Sequence, residues 1–239
     1  LGISRNAVWE TLKRDLAEGT LNQEVVGGTI LVYPEYLYQA EYETAEHILF
    51  LQEKATPIQV GDASSMVAAW ERSSGITLAD KQRSAIEGAF FHGIFILTGG
   101  PGTGKTTVIR GMIEMLEHYG LSILLGAPTG RAAKRLSEAT DRKAMTVHRL
   151  LEAQGGTDGA VFSKNIDDQL EADVVILDEV SMMDIILMRH FLEAVPAGCH
   201  VILVGDMDQL PAVGPGSVLR DILRSGIVPS VCLSDVYRQ

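Results

Sequence analysis

Residues 76–239 are predicted to form an α/β fold, a parallel sheet with helices on both faces, on three observations. The runs Val174-Val175-Ile176-Leu177 and Val201-Ile202-Leu203-Val204 are apolar throughout, as strands buried on both faces must be. Segments with helical spacing fall between such runs. A glycine-rich turn, Gly99-Gly100-Pro101-Gly102-Thr103-Gly104, joins one apolar run directly to a helix that opens on Lys105.

Taken in order, residues 1–75 lack this strand–helix rhythm and are expected to be a separate small domain, mainly helical with a β-hairpin. Apolar Ala7, Val8, Leu12 and Leu16 space out a helix over 6–17, which Gly19 stops. Residues 21–38 are rich in Val, Ile, Leu and Tyr and break at Gly27-Gly28, the pattern of a hairpin. Further helices are predicted over 41–51 and 64–70, with a hinge at Ser73-Ser74-Gly75. A helix followed by a two-stranded wing fits a winged-helix module, and it equally fits a cap that only packs on the main domain. From residue 76 the predicted strands are 94–98, 122–126, 173–177, 200–204 and 229–233. The predicted helices are 105–119, 130–139, 146–153, 183–194 and 217–225, with Gly120 and Gly226 placed as C-terminal caps. The helix over 105–119 carries Val108, Ile109, Met112, Ile113, Met115, Leu116 and Tyr119 on one wide apolar face. Residues 154–170 read as a polar, mobile loop.

The 239 residues, 46% of them hydrophobic, suit one large domain or two smaller ones and can bury a substantial core. The chain begins on Leu1 and ends on Gln239 within a motif-like stretch, so a piece of a longer protein is expected. Cys199 and Cys232 lie in or beside apolar runs and read as reduced core residues, not a disulfide framework. No run reaches the roughly 18 apolar residues that a membrane-spanning helix needs. No secretory signal is visible, and a cytoplasmic setting without a membrane partner is expected. The net charge of −11 argues at first against a nucleic-acid partner. Basic residues nevertheless cluster at Arg131, Lys134, Arg135, Arg142, Lys143 and Arg149, against only Glu138 and Asp141, for a local charge of +4. Screening acts over about 8 Å at physiological salt, so a basic groove can operate on an acidic body. A solvated helix face is the plainer reading of the same residues.

The chemistry gathers at four places. Gly99, Gly104, Lys105 and Thr106 have the spacing G-x-x-x-x-G-K-T, with a strand before and a helix after. Such a loop turns backbone N–H groups inward around phosphate oxygens, and the helix dipole adds to the attraction. Gly99, Gly100, Pro101, Gly102, Thr103, Gly104, Lys105, Thr106 and Thr107 would therefore cradle the phosphates of ATP. Lys105 would reach the β and γ phosphates, and Thr106 would hold Mg2+. Asp178 and Glu179 follow a strand, where Asp178 suits the magnesium shell and Glu179 suits a general base on the attacking water. Gln209, after the strand over 200–204, can contact both γ phosphate and water, or simply sit in a turn closed by Pro211. Upstream, the Gln82 amide can pair with an adenine edge.

With these residues in view, the chain resembles superfamily 1 helicases, and most closely the RecD-like group. Gln82 matches the Q motif and Gly99–Thr107 the phosphate loop. Residues 127–136 match motif Ia, 146–151 motif Ib, 178–184 motif II, 205–211 motif III and 236–239 motif IV. The Asp-Glu-Val-Ser form of motif II departs from the Asp-Glu-Ala-Asp form of superfamily 2. The resemblance implies a first RecA-like domain over 76–239, ATP and Mg2+ as cofactors, and 5′ to 3′ movement on single-stranded DNA in recombination and repair. It places Thr129, Gly130, Arg131 and His148 against the DNA. It makes Arg238 an arginine finger on the γ phosphate and stacks Tyr237 on adenine, although Tyr237 also reads as a core aromatic. Nuclease or helicase subunits of a recombination complex are further implied partners. The family's second RecA-like domain is not among these residues, so they are expected not to unwind DNA alone.

Overall fold

The computed structural model describes residues 2–156 and 159–234. Tyr237 and Arg238, with the rest of the segment read as motif IV, lie outside the described residues. In chain order the elements are α1 (Arg5–Ala17), β1 (Leu21–Val26), β2 (Thr29–Pro34), α2 (Glu35–Lys54), α3 (Ala63–Ser74) and α4 (Asp80–Gly88). Then come β3 (Ile94–Gly99), α5 (Lys105–His118), β4 (Ile123–Ala127), α6 (Gly130–Thr140), β5 (Ala144–Thr146) and α7 (Val147–Leu150). The rest are β6 (Ala153–Gly156), β7 (Gly159–Phe162), β8 (Val174–Leu177), α8 (Ile185–Glu193), β9 (His200–Gly205), α9 (Val218–Ser225) and β10 (Ser230–Leu233).

All five predicted strands form, and with β5 as a sixth they pair in parallel in the order β10-β3-β9-β8-β4-β5. Strand alternation sends successive side chains to opposite faces. On one face Ile94, Ile96, Val175, Leu177, Val201 and Leu203 pack with Met188, Phe191 and Leu192 of α8 and with Ile48 and Leu51 of α2. On the other, Phe95, Leu97, Val174, Ile176, Ile202 and Val204 pack with the predicted apolar stripe of α5. Trp70 of α3 and Ile86 of α4 join that second layer, and Trp70 donates its indole N–H to Glu114 at 2.7 Å. Helices α2 and α3, both before residue 75, thus share the cores of the sheet. By contrast α1 buries no residue, and among the described residues β1 and β2 pair with each other alone.

Four expectations need correction. Part of the stretch read as a mobile loop is the antiparallel hairpin β6–β7, with Ala153 opposite Phe162 and Gln154 opposite Val161. Its strands, Ala-Gln-Gly-Gly and Gly-Ala-Val-Phe, are too short to carry an apolar period, so only the backbone pairing reveals them. The helix predicted over 146–153 is correspondingly short, ending before Glu152, whose φ is 52°. The short strand β5, added to the edge beside β4, was not foreseen because three residues hold no period. Cys199 is buried as expected, but Cys232 is exposed because β10 is an edge strand.

Candidate active site

The sheet order does the assembling. The loop after β3, the turn after β9 and the acid pair after β8 leave the carboxyl ends of three adjacent strands, with Thr98 opposite Gly205 and Leu177 opposite Leu203. That is where an open parallel sheet receives its ligand. A cavity of about 610 Å³ lies there, lined by Ile76, Thr77, Gln82, Gly100, Gly102, Thr103, Gly104, Lys105, Thr106 and Thr107. Most of the predicted phosphate-loop residues therefore meet around one open space. Ile76 and Thr77 carry no sequence signal, and they wall it only because α4 folds back over the loop.

The loop geometry is specific. Gly104 has φ 86°, in the left-handed region, and a Cβ there would lie 2.3 Å from Gln82 Nε2. At Gly99 a Cβ would meet Thr103 Oγ1 at 2.8 Å and Leu233 O at 2.9 Å. Thr103 is buried and donates its hydroxyl to Gly100 O at 2.9 Å, closing the loop on itself. The Lys105 ammonium donates to Gly99 O at 2.5 Å and to Gly100 O at 3.0 Å, folded over the cradle it heads. Thr106 is exposed and lines the cavity.

Gln82 is buried, and its amide is engaged at both ends. Its Oε1 accepts from Ala79 N at 3.0 Å, and its Nε2 donates to Thr103 O at 3.1 Å. It therefore braces the phosphate loop in this structure. The wall beside it is held from α3, where Glu71 accepts from Leu78 N at 2.7 Å and from Arg83 at 3.0 and 3.1 Å. The Arg83 guanidinium accordingly holds the Glu71 carboxyl below the usual carboxylate range.

Asp178 continues β8, and its N–H donates to Gly126 O on β4 at 2.9 Å. Burial pushes its carboxyl up to about 6, and the neighbouring Glu179 charge adds to the rise. The hydrogen bond from Glu179 N and the Lys105 ammonium oppose it. A carboxylate so desolvated favours a cation beside it. With the Thr106 hydroxyl in the first turn of α5, the donor set fits Mg2+, a hard ion that keeps several waters and takes its other ligands from phosphates. Among the described residues, no group of three or more His, Cys, Asp or Glu is placed to hold a metal. Glu179 has φ 56° and ψ 37°, a left-handed conformation that costs a non-glycine residue about 1 kcal/mol or more. Such strain persists where surrounding structure imposes it.

Gln209 joins this group through Ser181, the last residue of the Asp-Glu-Val-Ser run. Ser181, in the short 3-10 turn after Glu179, donates its hydroxyl to Gln209 Oε1 at 3.3 Å. The carbonyl end of the Gln209 amide is thereby held.

The candidate DNA residues gather beside this site at the carboxyl ends of β4 and β5, where Ala127 is opposite Thr146. Thr129 caps α6 by accepting from Ala132 N at 3.2 Å, so its hydroxyl has a structural task as well. Gly130 and Arg131 form the first turn of α6. His148, on α7, is exposed with its ring 5.9 Å from that of Phe162 on β7. The basic cluster divides: Arg142 pairs with Glu117 at 2.8 Å and Lys134 with Glu138 at 3.7 Å. Arg131, Arg135, Lys143 and Arg149 have no ion-pair partner among the described residues.

Residues 82–215 match the family model described as an AAA domain. The chain is 44% identical over 162 residues to an ATP-dependent RecD2 DNA helicase of Deinococcus radiodurans, covering 68% of this chain and 22% of that protein. It is 37% identical over 216 residues to a RecBCD enzyme subunit RecD of Mycobacterium tuberculosis, covering 81% of this chain and 36% of the other. A crystal structure of Pif1 helicase from Candida albicans superimposes with a TM-score of 0.48 at 22% identity, over 69% of this chain and 41% of that one. The chain thus spans about a fifth to a third of the length of these curated relatives.

Proposed function

Because the chain belongs to the AAA domain family, and within it to the RecD-like superfamily 1 helicases, we propose that it is the ATP-binding motor portion of an ATP-dependent DNA helicase. The observation that carries this reading is the convergence of the phosphate loop, the half-buried Asp178 and the Ser181-held Gln209 on adjacent strand ends. Gly100 to Thr107 bind the triphosphate, with Lys105 turning from the loop carbonyls to the β and γ oxygens. Gln82 and the wall at Ile76 and Thr77 face the base. Bound Mg2+, held by Thr106 and by Asp178 through water, supplies charge neutralisation on the phosphates. Glu179 takes the proton of the attacking water. Gln209 reports the γ phosphate.

Single-stranded DNA lies along Thr129, Gly130, Arg131 and His148 in this proposal. Movement 5′ to 3′, with Tyr237 and Arg238 at the nucleotide, is proposed of a protein of its relatives' length. So are a cytoplasmic setting and assembly with recombination subunits. Among the described residues, no helix is long and apolar enough to cross a membrane. The discriminating experiment measures ATPase activity of the full-length protein with and without single-stranded DNA. Stimulation by DNA, abolished by Lys105→Ala, is expected. Turnover indifferent to DNA would instead favour an ATP-dependent switch acting on a protein partner.

A further inference from the structure

A second cleft, sharing no residue with the nucleotide cavity, lies between α2 and α9 and has a volume of about 300 Å³. Its floor is apolar, formed by Ile48, Ile185, Val218, Ile222 and Val228. Leu49 and Ile227 stand on its rim, 51% and 54% exposed. Exposed branched side chains flanking an apolar hollow are what an interaction site presents, since scattered surface apolar residues do not enclose a volume.

Two polar observations say what kind of occupant fits. Glu41 and Asp221 both line the cleft, one from each helix, and neither has a cationic partner among the described residues. Their charges act on each other: burial and then the Asp221 carboxylate hold the Glu41 carboxyl above its ordinary value. Two carboxylates left facing each other are relieved by a cation placed between them. Deeper in, Thr44 is only 4% exposed and its Oγ1 has no hydrogen-bond partner among the described residues. A buried hydroxyl without a partner costs roughly 1–3 kcal/mol, which a polar group entering the cleft would recover.

We propose that this cleft docks a segment of a separate polypeptide, one that seats a branched apolar side chain on Ile222 and Val228. A neighbouring Lys or Arg reaches Glu41 and Asp221, and a backbone or side-chain polar group meets Thr44. Apolar floor, acidic mouth and buried hydroxyl together select a cationic, amphipathic peptide over an acidic or wholly apolar one. The proposal is independent of the nucleotide chemistry, because the two cavities are lined by different residues.

The test uses the full 239-residue chain and a fluorescein-labelled peptide of alternating Leu and Lys, with a Leu and Glu peptide of equal length as control. Ala45 lines the cleft and is exposed, so Ala45→Trp fills it without changing charge or core. The cationic peptide is expected to raise the anisotropy saturably, the acidic one not. Ala45→Trp should weaken binding at least tenfold, and Glu41→Gln with Asp221→Asn should weaken it and flatten its salt dependence. Equal affinity for wild type and Ala45→Trp would overturn the proposal, by showing only attraction to an acidic surface. Full displacement by hexylamine at its own saturating concentration would also overturn it, by showing a site for small amines. Self-association of the chain that Ala45→Trp abolishes would do so too, because the occupant would then be a second copy.

Discussion

Gly104 shows how much one absent Cβ decides. Its left-handed φ and its 2.3 Å clearance to Gln82 leave no room for alanine without moving either the loop or the brace. Gly104→Ala is therefore expected to weaken nucleotide binding at least tenfold while the fold survives, read by titrating a fluorescent ATP analogue and by circular dichroism. Unchanged affinity would mean that the loop relaxes freely. Glu179 is held in its unusual backbone conformation beside Asp178, and in the proposed function it takes the proton of the attacking water. Glu179→Gln keeps the shape and removes the base. Nucleotide affinity should stay within a few-fold while turnover falls by about 10²–10⁴, the usual contribution of a general base. Turnover at the parental rate would remove Glu179 from the chemistry.

At the scale of elements, β8 is tied to its neighbour at the start of both strands. Asp173 accepts from Ser122 N at 2.7 Å and from Ser122 Oγ at 2.6 Å, just before β8 and β4 begin. These bonds hold its carboxyl below the ordinary value. A carboxylate whose folded pKa is depressed contributes stability that is present above its unfolded pKa of about 3.9 and is lost as pH falls through the folded one. Asp173→Asn should thus lower the urea midpoint at pH 7 and should lower it less at pH 3. Because Asp173 is exposed, solvent screening keeps the effect below about 1 kcal/mol. A loss of equal size at both pH values would assign the contribution to packing instead. The helices α5, α6, α8 and α9 were legible because each combines an apolar period with a cap. Asp184, for example, accepts from Leu187 N at 2.8 Å and starts α8 two residues later than the apolar pattern alone suggests. The hairpin β6–β7 was illegible for the opposite reason, since it buries no stripe that a period could mark.

Across the whole molecule, an acidic chain presents a local cationic edge. Arg131 leaves the end of β4 and Arg149 follows the end of β5, and neither is neutralised by an acid among the described residues. Each phosphate contact removed should lower the slope of log affinity against log salt by about one. Arg131→Ala with Arg149→Ala is expected to lower that slope by about two for single-stranded DNA, measured between 50 and 200 mM salt, with ADP affinity unchanged. An unaltered slope would move the DNA path elsewhere. Helices α2 and α3 bear on the expected boundary near residue 75, because Leu51 and Trp70 are buried in the two cores of the sheet. The surfaces of α1, β1 and β2, by contrast, are largely exposed.

The phosphate loop, the acid pair and the five apolar strands could be named from residue order, because each is local: a glycine spacing, a doublet of carboxylates, an unbroken apolar run. Which strand lies beside which could not, since the order β10-β3-β9-β8-β4-β5 depends on contacts between segments more than a hundred residues apart in places. That order brings Gln209 onto Ser181 and sets Asp178 on a strand end beside the one that carries Gln209. Local spacing encodes what a segment can do. Burial of both sheet faces determines which segments meet, because no single strand can cover its apolar surface alone.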